Sequence, residues 1–255
     1  MTKGKKKELI ILFLYLIIIN IIAFVLRFRY FEMALLSASI PGFYYLFKQK
    51  EYTKKIFIES ILFTIPFTII IEIFGHYNNA WYEHTIFSLR LFDLFPIESF
   101  LFGFNYYLFV TVFYKYFFDK PNKPKFNKNF IIVIILLFIA LAATIILLQL
   151  NSPLLTIPYY YAVLLSFMFV FVIIVTIIKP FLFKRALLVS LYLIIPSLLH
   201  EYVSLELVHW SFEKGNHIGY IEFLNHTIPI EELIWLPLVP IVMVLFFEIF
   251  QDDGE

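Results

Sequence analysis

The chain contains no cysteine, which removes disulfides, thiolate metal sites and cysteine nucleophiles from consideration. Its seven glycines never gather into a dinucleotide- or phosphate-binding loop, so a flavin, NAD or ATP fold is not expected. Aspartate is confined to Asp93, Asp119, Asp252 and Asp253, and none of these builds the Asp-rich, Mg-diphosphate motifs of membrane prenyltransferases. No lysine falls in the middle of a long apolar run, which argues against a retinal Schiff base. Charge itself is scarce: 15% of the 255 residues are charged against 62% hydrophobic, and mean hydropathy is +0.87. A soluble domain of this size needs far more polar surface to cover itself, so the expected solvent for much of the chain is lipid.

What is present are apolar runs of membrane-crossing length, about 20 residues each. They predict eight spans, at 8–26, 30–47, 56–74, 95–118, 130–150, 159–178, 186–208 and 228–250. The second is short and carries Ser37, Ser39 and Pro41. The first follows Lys3, Lys5, Lys6 and Lys7 and ends at Arg27 without a small-residue cleavage site, so it reads as a retained span and not a signal peptide. With the N-terminus in the cytoplasm, sixteen of the twenty Lys and Arg residues fall on inner segments. The outer segments hold Arg27, Arg29, Arg90 and Lys214. That bias is what the positive-inside rule predicts for an even number of spans, with both termini cytoplasmic. The expected fold class is therefore all-α, a polytopic membrane helix bundle.

The polar, Lys- and Pro-rich stretch 119–129 separates a first repeat, 1–118, from a second, 130–255. Ser60 precedes Pro66 by six residues, as Ser190 precedes Pro196. Glu72 is followed nine residues on by Trp81, as Glu201 is by Trp210. Pro96-Ile97-Glu98 opens the fourth span and Pro229-Ile230-Glu231 the eighth. Four spans per copy give both copies the same orientation, related by an axis along the membrane normal. The paired motifs then share one side, next to two polar loops, 75–94 and 209–227.

Each motif has a structural and a chemical reading. Proline followed by a carboxylate suits the start of a helix, where the acid complements the free N–H groups and the dipole. Against a simple cap, the motif recurs in both halves, and the second copy is a doublet, Glu231 and Glu232. Carboxyls desolvated side by side resist joint ionisation, which lets one serve as acid and another as base. Glu72 and Glu201 are either partners of such a site or interfacial carboxylates that snorkel. Trp81, Trp210 and Trp235 are either π-faces for a carbocation or the ordinary aromatic belt of a membrane interface. His76, His84, His200, His209, His217 and His226 have irregular spacing and form no His-Glu-x-x-His motif, so no metal site is expected.

The stretches NNAWYEHTIFSLRLFDLFPIESFLF and VHWSFEKGNHIGYIEFLNHTIPIEELIW resemble the integral-membrane lycopene cyclases. These are the cofactor-free type of archaea, some bacteria and fungi, occurring as two short subunits or one fused chain. The likeness covers roughly residues 45–118 and 175–250 and fits a fused form. Two departures stand out: Ser99 follows Glu98 where the family usually has a second acidic or amide residue, and Tyr82-Glu83 follows Trp81.

The resemblance implies a redox-neutral ring closure at the ends of lycopene or a related linear carotenoid, without cofactor or metal. It implies Glu98, Glu231 and Glu232 as the acid–base set, with Trp81, Trp210, Glu72 and Glu201 lining the substrate cavity. The implied partners are a carotenoid or polyprenoid substrate, membrane lipid and other carotenoid-pathway enzymes, in a prokaryotic cell membrane; no nucleic acid is expected. Two alternatives keep part of this picture. One changes the reaction, to hydration of a polyprenoid or cyclisation of a C50 carotenoid. The other is a non-enzymatic lipid carrier or proton-coupled transporter.

Overall fold

The computed structural model describes residues 2–85, 87–119, 127–212 and 215–252. The protein is all-α, and its helices are α1 (Lys3–Leu26), α2 (Tyr30–Ala34), α3 (Ile40–Lys48), α4 (Thr53–Tyr77), α5 (Ile97–Phe117), α6 (Lys128–Leu150), α7 (Tyr160–Ile178), α8 (Pro180–Glu206) and α9 (Ile230–Phe246). Among the described residues seven helices are long and apolar enough to cross a membrane: α1, α4, α5, α6, α7, α8, and α9 with the π-helical turn Phe247–Gln251 that extends it. The expected second span is a broken helix. A π-helical turn, Leu35–Ser39, joins α2 to α3, with the Ile40 N–H bonded back to the Leu35 carbonyl. Pro41 follows at once and brings no N–H of its own, so the ladder widens there. Counted together, residues 30–48 rise about 28 Å, enough to cross the hydrocarbon core.

Contacts at the two ends of the bundle show that every expected crossing is made. At one end, which we term the basic end, Glu8 pairs with Lys48 at 2.8 Å. There Lys55 donates to the Gln251 carbonyl at 2.6 Å, and Arg185 lies 3.3 Å from Asp119. Lys115 bridges Asp119 and Asp252. At the other, loop end, the Phe28 carbonyl lies 2.8 Å from His209 Nε2, and the Asn78 amide donates to the Leu155 carbonyl at 3.0 Å. The chain thus passes eight times between the ends. Of the expected linker, 120–126 lies outside the described residues.

Packing partners correspond between the halves. Helix α4 lies on α5 as α8 lies on α9, and α3 lies on α5 as α7 lies on α9. The first helix of each half crosses to the other half, α1 to α8 and α6 to α4, while α5 meets α9. Buried Leu108, Val112, Phe113, Val189, Val244 and Leu245 fill the centre. Ile132, Ile135, Leu136 and Ile139 of α6 face outward, as the lipid-side residues of a membrane helix do. Pro66 and Pro196 sit inside α4 and α8, tolerated because neighbouring helices accommodate the freed backbone.

The polar loops are not wholly irregular. Strand β1 (Tyr82–Glu83) of the first loop pairs antiparallel with β4 (Trp210–Ser211) of the second. Each loop then closes a small hairpin before its Pro-Ile-Glu motif, β2 (Arg90–Leu91) with β3 (Phe95–Pro96), and β5 (Tyr220–Phe223) with β6 (His226–Pro229). Leu224 and Asn225 at the second hairpin turn have positive φ, as a tight two-residue connection requires. The eight-pass arrangement is checked by placing single cysteines on this cysteine-free chain. Lys50→Cys and Lys179→Cys should react with an impermeant maleimide from one face of the membrane and Asn79→Cys from the other. Labelling of all three from a single face contradicts it.

Candidate functional site

The loop end is organised by two equivalent hydrogen bonds. Helices α4 and α8 carry Glu72 and Glu201 near their ends, and the chain then turns back over the helix. The Trp81 indole donates to Glu72 at 3.1 Å, and the Trp210 indole donates to Glu201 at 2.9 Å. The first fold-back needs Gly75, because a Cβ there would lie 2.2 Å from the Trp81 ring. The strand pair sets Glu83 opposite Trp210 across the two loops. These carboxylates therefore do not snorkel to water; each holds an indole over the end of its own helix.

Below the indoles lies a cavity of about 600 Å³ bordered by both halves of the bundle. Glu72, Glu83, Glu201 and Glu232 line it, together with Trp81, Trp210 and Trp235. No lysine or arginine of the described residues does. Aromatic faces close around the acids. Tyr161, in the first turn of α7, donates to Glu232 at 2.6 Å, and its ring stands 5.4 Å from Trp81 and 5.6 Å from Trp235. Tyr30, at the start of α2, stands in the corresponding place 6.0 Å from Trp210. Farther in, the walls are Phe63, Phe67, Phe246 and Phe250.

The seven residues expected from sequence divide. Glu72, Glu201, Glu232, Trp81 and Trp210 border the cavity, whereas Glu98 and Glu231 do not. The expectation that Glu98 and Glu231 meet in the pocket is corrected accordingly. Both are fully buried and turned toward the loops: Glu98 accepts the Phe87 N–H at 3.0 Å, and Glu231 the Ile218 N–H at 2.7 Å. The reason is helical geometry. Side chains tilt toward the helix N-terminus, so a carboxylate in the first turn reaches back to loop amides and complements the dipole. The next residue is rotated by about 100° and faces inward. In the first half that residue is Ser99, in the second Glu232, and both line the cavity. The doublet thus splits into a loop anchor and a cavity acid.

Three further residues, His76, Glu83 and Tyr161, join the site. His76 Nε2 is 2.7 Å from Glu83, and His76 Nδ1 is 3.4 Å from Glu72. One imidazole lies between two carboxylates, with a ring nitrogen toward each. Glu72 and His76 stand four apart on one helix face, which is a legible pairing; Glu83 reaches them only because the loop folds back. These three side chains present donor atoms within 4.8 Å of one another, the spacing of a metal cluster. His76 Nδ1 also lies 3.2 Å from the Glu72 backbone carbonyl, and the Nε2 approach to Glu83 lacks hydrogen-bond geometry, so it is proximity that joins the three groups. The counterparts of His76 and Glu83 in the second half are Leu205 and Phe212. The two copies have therefore become chemically different: an acid–imidazole–acid cluster on one side, and Glu201 with Glu232 and Tyr161 on the other.

Two outcomes are expected. Gly75→Ala should displace the Trp81 indole and break its bond to Glu72 while the helical signal persists; an unchanged tryptophan emission spectrum argues against it. Outside the spans, burial pulls His209 and His217 below the usual imidazole range, with the Phe28 carbonyl and Glu231 respectively opposing it. The unfolded chain then takes up protons that the folded loops refuse. The contribution of these two groups to thermal stability should be flat above about pH 6.5 and fall as the pH drops below it. The double variant His209→Gln, His217→Gln should flatten that slope between pH 5 and 7; an unaltered slope excludes these two groups as its origin.

Comparison of the chain with family models, with characterised proteins and with solved structures finds no match.

Proposed function

We propose that the protein is a membrane-embedded acid–base isomerase that closes a ring at the end of a linear carotenoid, the reaction of the lycopene cyclases its sequence resembles. The observation that carries this reading is the pairing of two unlike acid groups at one end of an aromatic cavity. Glu201 and Glu232 both line the cavity, the first holding the Trp210 indole and the second the Tyr161 hydroxyl, and no lysine or arginine of the described residues stands at the cavity wall beside them. A carboxyl in apolar surroundings without a cation favours its protonated form, the form a general acid needs. On the other side Glu72 and Glu83 stand beside the His76 imidazole, and this cluster takes the part of the base.

The chemistry follows from that polarity. The protonated carboxyl of Glu232 delivers its proton to the terminal double bond of the polyene, and the resulting tertiary cation is attacked by the neighbouring double bond. A carbon–carbon bond forms and the positive charge moves onto the ring. The Glu72 or Glu83 carboxylate removes a ring proton, which leaves a ring double bond and hands the charge to the pair with His76. One proton enters the hydrocarbon and one leaves, so the product is an isomer. Trp81, Trp210, Trp235, Tyr30 and Tyr161 offer π-faces to the cation, and the dry walls keep water from capturing it.

Expression in cells that accumulate lycopene should yield ringed pigment of unchanged mass, absorbing at shorter wavelength. Hydration instead adds one water, and unchanged pigment beside an inserted protein rejects the substrate. Glu232→Gln should lower turnover by about 10²- to 10⁴-fold, the usual contribution of a positioned acid. Glu98→Gln and Glu231→Gln should lower the amount of folded protein but spare the specific activity of what folds. Equal loss of specific activity in all three variants contradicts the division of roles.

A further inference from the structure

The cavity does not end within the bundle. It follows α9 and its π-helical extension from Glu232 to Phe250, a rise of about 27 Å along a helix. Between its ends it reaches Val133 and Leu137 of α6 and Phe167 and Phe171 of α7. Phe167 lies near the middle of its span, lines the cavity, and yet is 72% exposed. A side chain with one face on a cavity and the other on the outside of a membrane helix marks an opening to lipid. The helices leave room there, because α6 is seated on α4 and the π-helical turn Phe247–Gln251, while α7 is seated on α8 and α9.

The corresponding place in the first half is closed. There the π-helical turn Leu35–Ser39 lies against α1, and the Tyr15 hydroxyl donates to the Leu36 carbonyl at 2.5 Å. Ser37 and Ala38 of that turn, buried, form the cavity wall. Among the described residues, a bundle built from corresponding halves thus opens sideways at one of the two places its plan provides.

We propose that the gap between α6 and α7 is the portal through which a long apolar chain passes, end first, from the bilayer to the acids at the loop end. The occupant is a linear polyisoprenoid, an assignment that rests on the proposed function. Three features support it: walls of phenylalanine without charge along the passage, an opening at the depth of the acyl chains, and polar groups gathered at the far end. A chain admitted through a single portal presents one terminus per binding event. Its other end stays in lipid, so a substrate with two reactive ends is converted in two separate visits.

All three tryptophans of the chain line the cavity, so intrinsic fluorescence reports its occupant without need of turnover. In vesicles of phosphatidylcholine containing 1-bromohexadecane, whose bromine quenches at contact range, emission should fall as the chain end reaches the indoles. A bulky maleimide on Phe167→Cys should reduce that quenching about threefold or more, as expected when a passage is blocked. The same adduct on Ile173→Cys, which is exposed on α7 and does not line the cavity, should leave it unchanged. Equal quenching with and without the Phe167→Cys adduct overturns the portal, whatever the catalytic activity. With lycopene in the vesicles, the adduct should lower kcat/KM about tenfold while sparing turnover of polyene bound beforehand. Free one-ring product should also precede two-ring product. Portal-dependent quenching without any ring product leaves the portal standing and rejects the cyclase reading; two-ring product formed without release of the one-ring species rejects admission of one end at a time.

Discussion

The loop end depends on the hydrogen bond between a membrane carboxylate and a tryptophan nine residues farther along, made once in each half. Near hydrocarbon, a polar group without a partner is costly. Glu72 and Glu201 find theirs in the indoles of Trp81 and Trp210. That bond turns the chain back over the helix end and brings an aromatic plate onto the cavity. It also positions the two loops so that Glu83 and Trp210 pair as strands. His76, Glu83 and the Tyr161 ring all take their places relative to these plates.

Corresponding halves solve an assembly problem and then diverge in chemistry. The exchange of first helices, α1 onto the second half and α6 onto the first, interlocks the bundles, so that the cavity is bordered by both. Within that shared plan, Glu232 in place of Ser99, and Leu205 and Phe212 in place of His76 and Glu83, make the two sides chemically different. One side holds two acids bonded to aromatic donors, and the other two acids beside an imidazole. The basic end serves a different purpose: Lys115, Arg185, Asp119 and Asp252 form ion pairs that join α5, α8 and the chain's last described turn. Removing one member of such a buried set leaves an uncompensated charge.

How much of this could be read in advance varies with the physics involved. Span number and alternation were legible, since lipid demands long apolar helices and Lys and Arg collect at one end. Pro41 beside Ser37 and Ser39 marked the second span as irregular, but a missing N–H does not say whether a helix stops or widens into a π-helical turn. Five of the seven expected site residues border the cavity because the spacing from Glu to Trp was repeated. Glu98 and Glu231 lie off it, bonded to loop amides. Adjacent residues on a helix look alike in a motif and face directions about 100° apart; only packing decided which carboxyl turned inward. His76 was visible as the fourth residue after Glu72, but Glu83 and Tyr161 approach it and Glu232 through contacts spanning a loop and a second helix.

The amino-acid sequence alone determined a helical membrane bundle, its likeness of halves and the gathering of acids and tryptophans at one end. Those properties follow from local composition, from periodicity, and from the insolubility of charge in hydrocarbon. The tertiary structure decided which carboxyls share a cavity, which of them stand beside an imidazole, and on which side that cavity opens to lipid. Such distinctions depend on helix rotation and on side chains far apart in the chain, and no spacing within a single segment encodes them.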